Sequence, residues 1–126
     1  MKKYNYIVIG AGSAGIASAR WVAKKFNKKV AVIEHKKLGG TCVNVGCMPK
    51  KVTYNVAHFM DLFKQMELHG VKKNDVNFSY NILKKNRDAY ISRLNGIYNN
   101  LLKNSNVDFY KGFGSFVDKD KVKVGD

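Results

Sequence analysis

The sequence predicts an α/β fold built on a parallel βαβ sheet with long helices. Three observations predict it. A short β-branched run, Tyr6 to Ile9, ends in Gly10, Ala11, Gly12, Ser13, Ala14, Gly15. Apolar residues then recur at helical spacing, Ile16, Ala19, Ala23 and Phe26, as one face of a helix. After a turn at Asn27 and Lys28, a second apolar run from Lys29 to Ile33 reads as a buried strand and closes on the acidic Glu34.

Strand, Gly-x-Gly-x-x-Gly, helix, strand and acid in that order form a dinucleotide-binding unit. Gly10 allows the tight turn, Gly12 lets a pyrophosphate approach the backbone, and Gly15 lets the helix pack on the strand. The helix N-terminus carries exposed N–H groups that favour an anion. Glu34 is placed to accept a hydrogen bond from a ribose hydroxyl.

The stretch that follows, Leu38 to Lys51, holds the chain's 2 cysteines, Cys42 and Cys47. Gly39, Gly40 and Gly46 permit sharp turns, and Pro49 suits a first helical turn. Val52, Val56, Phe59, Phe63 and Met66 then continue at helical spacing. The cysteines are therefore expected at or just before a helix N-terminus, where the macrodipole favours a thiolate, helped by Lys50 or Lys51 if either turns inward. Spacing alone leaves a structural staple and a redox pair about level. The glycine motif tips the balance toward redox chemistry, because it brings a dinucleotide close. A flavin exchanges two electrons with a dithiol, so FAD is preferred to NAD as the bound cofactor.

Further along, His69 to Phe78 is polar and reads as a loop, and Ser79 is an N-cap candidate. A helix to about Lys103 is expected to bury Leu83, Tyr90, Leu94, Ile97 and Leu101. Tyr90 and Tyr98 both read as packing residues. Val107 to Tyr110 is a third strand, broken by Gly112 and Gly114. Ser115 to Val117, a turn at Asp118 to Asp120, and Val122 to Val124 read as the start of an antiparallel meander.

Composition sets outer limits. At 126 residues and 45% hydrophobic the chain is expected to be a single globular domain. Its net charge of +14 comes mostly from lysines scattered in pairs, which reads as a solvated surface and argues against nucleic acid. Positive potential attracting anionic substrates is the weaker functional reading. No apolar run approaches the roughly eighteen residues of a membrane span, and no signal peptide precedes Tyr4, so no membrane partner and a cytoplasmic location are expected. Histidines 35, 58 and 69 show no ligand spacing with the cysteines, so no metal is expected.

On YIVIGAGSAGIASAR, AVIEHKKLGGTCVNVGCMPKK, RDAYISRLNGIY and NVDFYKGFGSF the chain resembles the pyridine-nucleotide-disulfide oxidoreductase family. GGTCVNVGCMPK is specific for the family and barely specific for the member. Pro49, Lys50 and Lys51 point to its glutathione, trypanothione and thioredoxin branches. The short link from Glu34 to Gly39, with Ala17 and Arg20, favours the glutathione branch. The charge logic is that an arginine can bind the free glycine carboxylates of glutathione disulfide, which a polyamine conjugate lacks.

The resemblance implies a Rossmann-like FAD-binding domain, incomplete, with residues 1–126 as its N-terminal portion. The NADPH domain and the dimer-interface domain are absent from this chain. It implies NADPH-dependent reduction of glutathione disulfide in a homodimer, within cell redox homeostasis, with the isolated chain inactive. Cys42 would be the interchange thiol and Cys47 the flavin-proximal thiol of a redox-active disulfide. Ser13, Ala14, Glu34, Gly40, Thr41, Cys42 and Gly114 would contact FAD, with Lys50 near the flavin. Ser13, Arg20 and Tyr98 would line the glutathione site, and an acid/base histidine would come from the partner subunit. Reduction of thioredoxin, trypanothione or another disulfide is the alternative within the family. A stand-alone, non-catalytic nucleotide-binding module is the alternative outside it.

Overall fold

The computed structural model describes residues 1–72 and 76–125. Strands β1 (Tyr6–Ile9), β2 (Val30–Glu34) and β3 (Val107–Lys111) form one sheet in the order β1-β2-β3, with both pairings parallel. Helix α1 (Ser13–Phe26) makes the crossover from β1 to β2. Helices α2 (Gly40–Asn44), α3 (Cys47–Gln65) and α4 (Tyr80–Lys103) lie between β2 and β3. Strands β4 (Gly114–Asp118) and β5 (Lys121–Val124) pair antiparallel as a separate two-stranded sheet. The parallel βαβ sheet, the long helices and the start of a meander are as expected.

β2 is a run of five residues that are all buried, because both faces of the central strand are covered. On one face Val8, Val30, Val32 and Val107 pack against Ile16, Ala19 and Ala23 of α1 and Leu102 of α4. On the other, Ile9 and Ile33 lie under β4 so closely that a Cβ on Gly114 would come 3.1 Å from Ile33. That close approach explains a glycine at the first position of β4.

Several expectations need correcting. Phe26 was expected on the buried face of α1 but is 51% exposed, because α1 ends there on Asn27 in the left-handed conformation and turns away from the sheet. In α4 the most deeply buried side chains are Ile91 and Leu102, whereas Ile97 is exposed. Leu83, Tyr90, Leu94 and Leu101 are half-buried as expected, and the inward stripe widens by one residue to take in Ile91, Asn95, Tyr98 and Leu102. It carries the polar Asn95, which interrupts the apolar period. The α3 helix forms as expected, yet none of its side chains is fully buried and Phe59 stands out at 57% exposure.

Met66–His69 is a 3₁₀ turn closed by Gly70 in the left-handed region. The loop expected over residues 69–78 is therefore shorter at its start, and its residues 73–75 lie outside the described residues. Ser79 caps α4 as expected, its hydroxyl accepting from the Ile82 N–H at 3.4 Å.

Candidate functional site

The site lies at the carboxyl ends of the parallel strands, where open α/β sheets bind ligands. Gly10 has φ +103°, which only glycine adopts without strain, and it turns the chain from β1 into α1. A Cβ on Gly15 would sit 2.1 Å from the Gly10 carbonyl oxygen and 3.0 Å from Val8 Cγ1, so helix and strand can approach only with glycine there. The α1 N-cap is Gly12, with no side chain capping the first N–H groups and no acid in the first turn. Those N–H groups are therefore available to a ligand anion.

Glu34 is buried and has two backbone partners. Ala11 N–H donates to Oε2 at 2.9 Å, and Lys36 N–H donates to Oε1 at 2.7 Å. His35 Nδ1 lies 3.3 Å from Oε1. Burial alone would raise the carboxyl pKa, but the N–H groups of Lys36 and Ala11, with His35 beside them, bring it below the usual carboxylate value. The carboxylate thus clamps the end of β2 to the glycine loop. A second lone pair on each oxygen is left for a ribose hydroxyl.

The cysteine segment is built against that loop. Gly39 N–H donates to Ala11 O at 2.8 Å. A Cβ on Gly40, at φ +63°, would come 2.8 Å from Gly12 Cα. Two asparagines hold the turn: Asn44 Nδ2 donates to Leu38 O at 3.1 Å and Gly40 O at 2.9 Å. From α4, Asn95 Nδ2 donates to Leu38 O at 2.7 Å and Asn44 Oδ1 at 3.0 Å. Sequence reasoning missed both residues. A polar residue on the inward stripe of α4 was the signal for Asn95.

Cys47 opens α3 after the Gly46 N-cap, as expected of a helix N-terminus. Cys42 departs from that expectation, because it lies inside the separate short helix α2. Its thiol is half-buried and Cys47 is exposed, and both are free thiols. The reversal at Val45 and Gly46 brings them together. The neighbouring Cys47 thiol, reinforced by burial, holds the Cys42 thiol above its ordinary pKa. This is opposite to the thiolate-favouring shift expected, because a neutral thiol pair competes with the helix dipole and neither Lys50 nor Lys51 acts on Cys42.

A cavity of about 910 Å³ opens beside Glu34, lined also by Gly40, Thr41 and Lys111. Its lining comes from the end of β2, from α2 and from Asp88, Ile91 and Ser92 of α4. His35 and Phe113 meet edge to face at its rim, 5.5 Å between ring centres. Lys50 lies apart from the cavity, along a groove with Tyr54 and Arg87.

Ser13 and Arg20 fall seven residues apart on one stripe of α1, and Ala14 is exposed in the first turn. Arg20 Nε donates to Ser105 Oγ at 3.2 Å. Tyr98 is half-buried and packs on the main core.

A profile described as pyridine nucleotide-disulphide oxidoreductase matches residues 4–126. The chain belongs to the pyridine nucleotide-disulphide oxidoreductase family. It is 45% identical over 123 residues to a protein named glutathione reductase from Debaryomyces hansenii, covering 92% of this chain and 25% of that protein. It is 44% identical over 125 residues to a glutathione reductase from Schizosaccharomyces pombe, covering 98% of this chain and 27% of the relative. A third, from Yarrowia lipolytica, is 44% identical over 116 residues, or 89% of this chain and 24% of the relative. The chain thus spans about a quarter of the length of the curated relatives it matches. Among the described residues no helix is long and apolar enough to cross a membrane.

Proposed function

We propose that residues 1–126 form the N-terminal portion of the FAD-binding domain of an NADPH-dependent glutathione-disulfide reductase. One observation carries the reading: a segment holding two free thiols, Cys42 and Cys47, is packed directly against a glycine loop of dinucleotide-binding pattern. The likeness to three named glutathione reductases supports the choice of substrate.

In this reading the α1 N-terminus, through Ser13 and Ala14, holds the diphosphate of FAD. Glu34 takes a ribose hydroxyl, Gly40 and Thr41 line the cavity, and Lys50 and Gly114 stand nearer the flavin. Held by these residues, FAD would supply the two-electron redox chemistry that reduces the Cys42–Cys47 pair at the expense of NADPH. Cys42, as thiolate, attacks one sulfur of glutathione disulfide; an S–S bond breaks, one glutathione thiolate leaves, and a mixed disulfide forms. Cys47 thiolate then attacks Cys42 Sγ, releasing the second glutathione and leaving the internal disulfide.

The raised pKa of Cys42 means that this attack needs a base to take its proton. Among the described residues no histidine or carboxylate acts on the Cys42 thiol; in this reading the base comes from another domain or subunit. The homodimer of the proposal supplies it.

The test is to express the protein at the relatives' full length. It should be yellow and should oxidise NADPH with glutathione disulfide, and Cys42→Ser should abolish turnover while leaving the colour. A colourless protein, or a clear preference for thioredoxin or a polyamine-conjugated disulfide, would overturn the reading.

A further inference from the structure

The turn that carries Cys42 is held by side chains from outside its own helix. α2 has 5 residues, begins at Gly39 with no side-chain cap, and is too short to be stable alone. Two amides supply the support. Asn44 donates to the carbonyls of Leu38 and Gly40, and Asn95 donates to the same Leu38 carbonyl and to Asn44 Oδ1. Both hydrogens of each side-chain amide are thereby used, and the Leu38 oxygen, with two donors, has both lone pairs filled. Leu38 is 7% exposed, so a bond lost here leaves a polar group away from water.

The anchored residues bracket Cys42: Leu38 and Gly40 precede it, and Asn44 follows it on the way to Cys47. Gly46, the residue before Cys47, packs on the same piece of backbone. A Cβ there would lie 3.0 Å from the Thr41 oxygen and 3.5 Å from Cys42 Cα. How near the two sulfurs come is therefore set by where α2 sits against the start of α3. Asn95 fixes that position from a third element. Among the described residues it is the one side chain of α4 that hydrogen-bonds to the cysteine segment, and it stands between Ile91 and Leu102, which anchor α4 in the interior.

We propose that Asn95 is a positioning residue for thiol–disulfide exchange, acting through Asn44 and Leu38 to keep Cys42 where Cys47 can close a disulfide with it. The inference rests on the proposed function, since it takes Cys42 and Cys47 as a redox pair. A disulfide needs Cα atoms about 5.5–6 Å apart, so a turn already held in place loses less entropy when the bond closes. Anchoring by Asn95 thus favours the disulfide over the dithiol, and loosening it makes the pair easier to reduce.

The test is a redox titration of the full-length protein in mixtures of reduced and oxidised dithiothreitol. Each pair that oxidises gives two electrons and two protons to the dithiothreitol disulfide, whose S–S bond breaks as the Cys42–Cys47 bond forms. After acid quenching and alkylation, the tryptic peptide from Leu38 to Lys50 carries both cysteines and reports the two states as separate masses. Asn95→Ala should lower the equilibrium constant for disulfide formation about tenfold, a rise of about 30 mV in potential. Asn95→Leu, which fills the space without a donor, should lower it in the same direction and serves as the second variant. Asn44→Ala should also lower it, and the double variant Asn44→Ala, Asn95→Ala should fall short of the product of the two effects, since both residues belong to one network. Leu83→Ala truncates a half-buried side chain of the same helix about 18 Å away; it should lower the urea midpoint and leave the constant unchanged. A constant that is unchanged or higher in the Asn95 variants, or a fall matched by Leu83→Ala, would overturn the proposal, while turnover of NADPH and glutathione disulfide by wild type leaves the parent reading standing. A wild-type peptide that never becomes a disulfide would sink the parent reading and this one with it.

Discussion

The glycine-loop corner and helix α3 follow one another in the chain and could hardly be held more differently. In the corner, Gly10 to Gly15, Glu34 and Gly39 to Asn44 interlock through backbone contacts that admit no Cβ and through hydrogen bonds from Ala11, Lys36, Asn44 and Asn95. In α3, nineteen residues form a helix without one fully buried side chain, and Tyr54, Phe59 and Leu62 stay exposed. Cys42 belongs to the first region and Cys47 begins the second. The cysteine pair therefore joins a part of the molecule determined by local sterics to a helix that is only lightly packed, half-buried at Val52, Val56 and Met60. Helices of that kind gain little stability from themselves, since most helical stability in proteins comes from packing.

The sharpest way to break the corner is Gly15→Ala. Its Cβ would meet the Gly10 carbonyl at 2.1 Å, so a loss of about 4 kcal/mol or more is expected, seen as loss of a cooperative urea transition. Next in size is the contrast between Leu102→Ala and Phe59→Ala. Leu102 is 1% exposed in the core that α1 and the corner pack over, and its truncation should cost about 2–5 kcal/mol. Phe59→Ala in α3 should cost less than about 1 kcal/mol by the same urea assay. If the two losses were equal, the contrast between the regions would be wrong.

Glu34→Gln should cost about 1–3 kcal/mol at neutral pH, because the side-chain amide would turn a donor toward one of two backbone N–H groups. Its pH dependence carries the sign of a depressed carboxyl. The folded state holds Glu34 below its unfolded pKa, so its stabilisation is complete above that unfolded value, about 4.3, and is lost as pH falls through the folded value. Wild type and variant should thus converge in urea midpoints as the buffer is taken to strongly acid pH. A gap that stayed constant would remove the charge from the account.

The smallest effect separates the two cysteines by reactivity. The half-buried Cys42 thiol is held above its ordinary pKa by the neighbouring Cys47 thiol. Alkylation of Cys42 by iodoacetamide, followed by peptide mass mapping, should therefore rise with pH over a range above that of a free thiol. In Cys47→Ser the hydroxyl retains part of the effect; in Cys47→Ala the Cys42 profile should move toward lower pH. A profile that ignored Cys47→Ala would show that the Cys47 thiol is not what raises Cys42.

Much of the corner was legible in the residues. Gly10, Gly12 and Gly15 after a β-branched run, and Glu34 at the end of the next, carry local requirements that the chain cannot satisfy in another way. The cysteine turn was legible as a turn, but not as the short helix α2, because its five residues contain no period long enough to read. The inward stripe of α4 was legible through Leu83, Tyr90, Leu94 and Leu101 but drawn too narrowly, for a related reason. Asn95 faces inward to hold Leu38 and Asn44, and a polar residue in a buried stripe breaks the apolar pattern on which such a reading depends.

What the sequence by itself determined is therefore the βαβ unit, the position of the acid and the presence of a cysteine pair just beyond it, since each rests on residue-level sterics or on short-range periodicity. Only the tertiary structure decided that the Gly39–Gly40 turn packs on Gly12, that Glu34 clamps Ala11, and that Cys47 comes close enough to Cys42 to raise its pKa. Those outcomes depend on groups distant in sequence meeting at the end of the sheet. Contact across such separations leaves no pattern in any one stretch of chain.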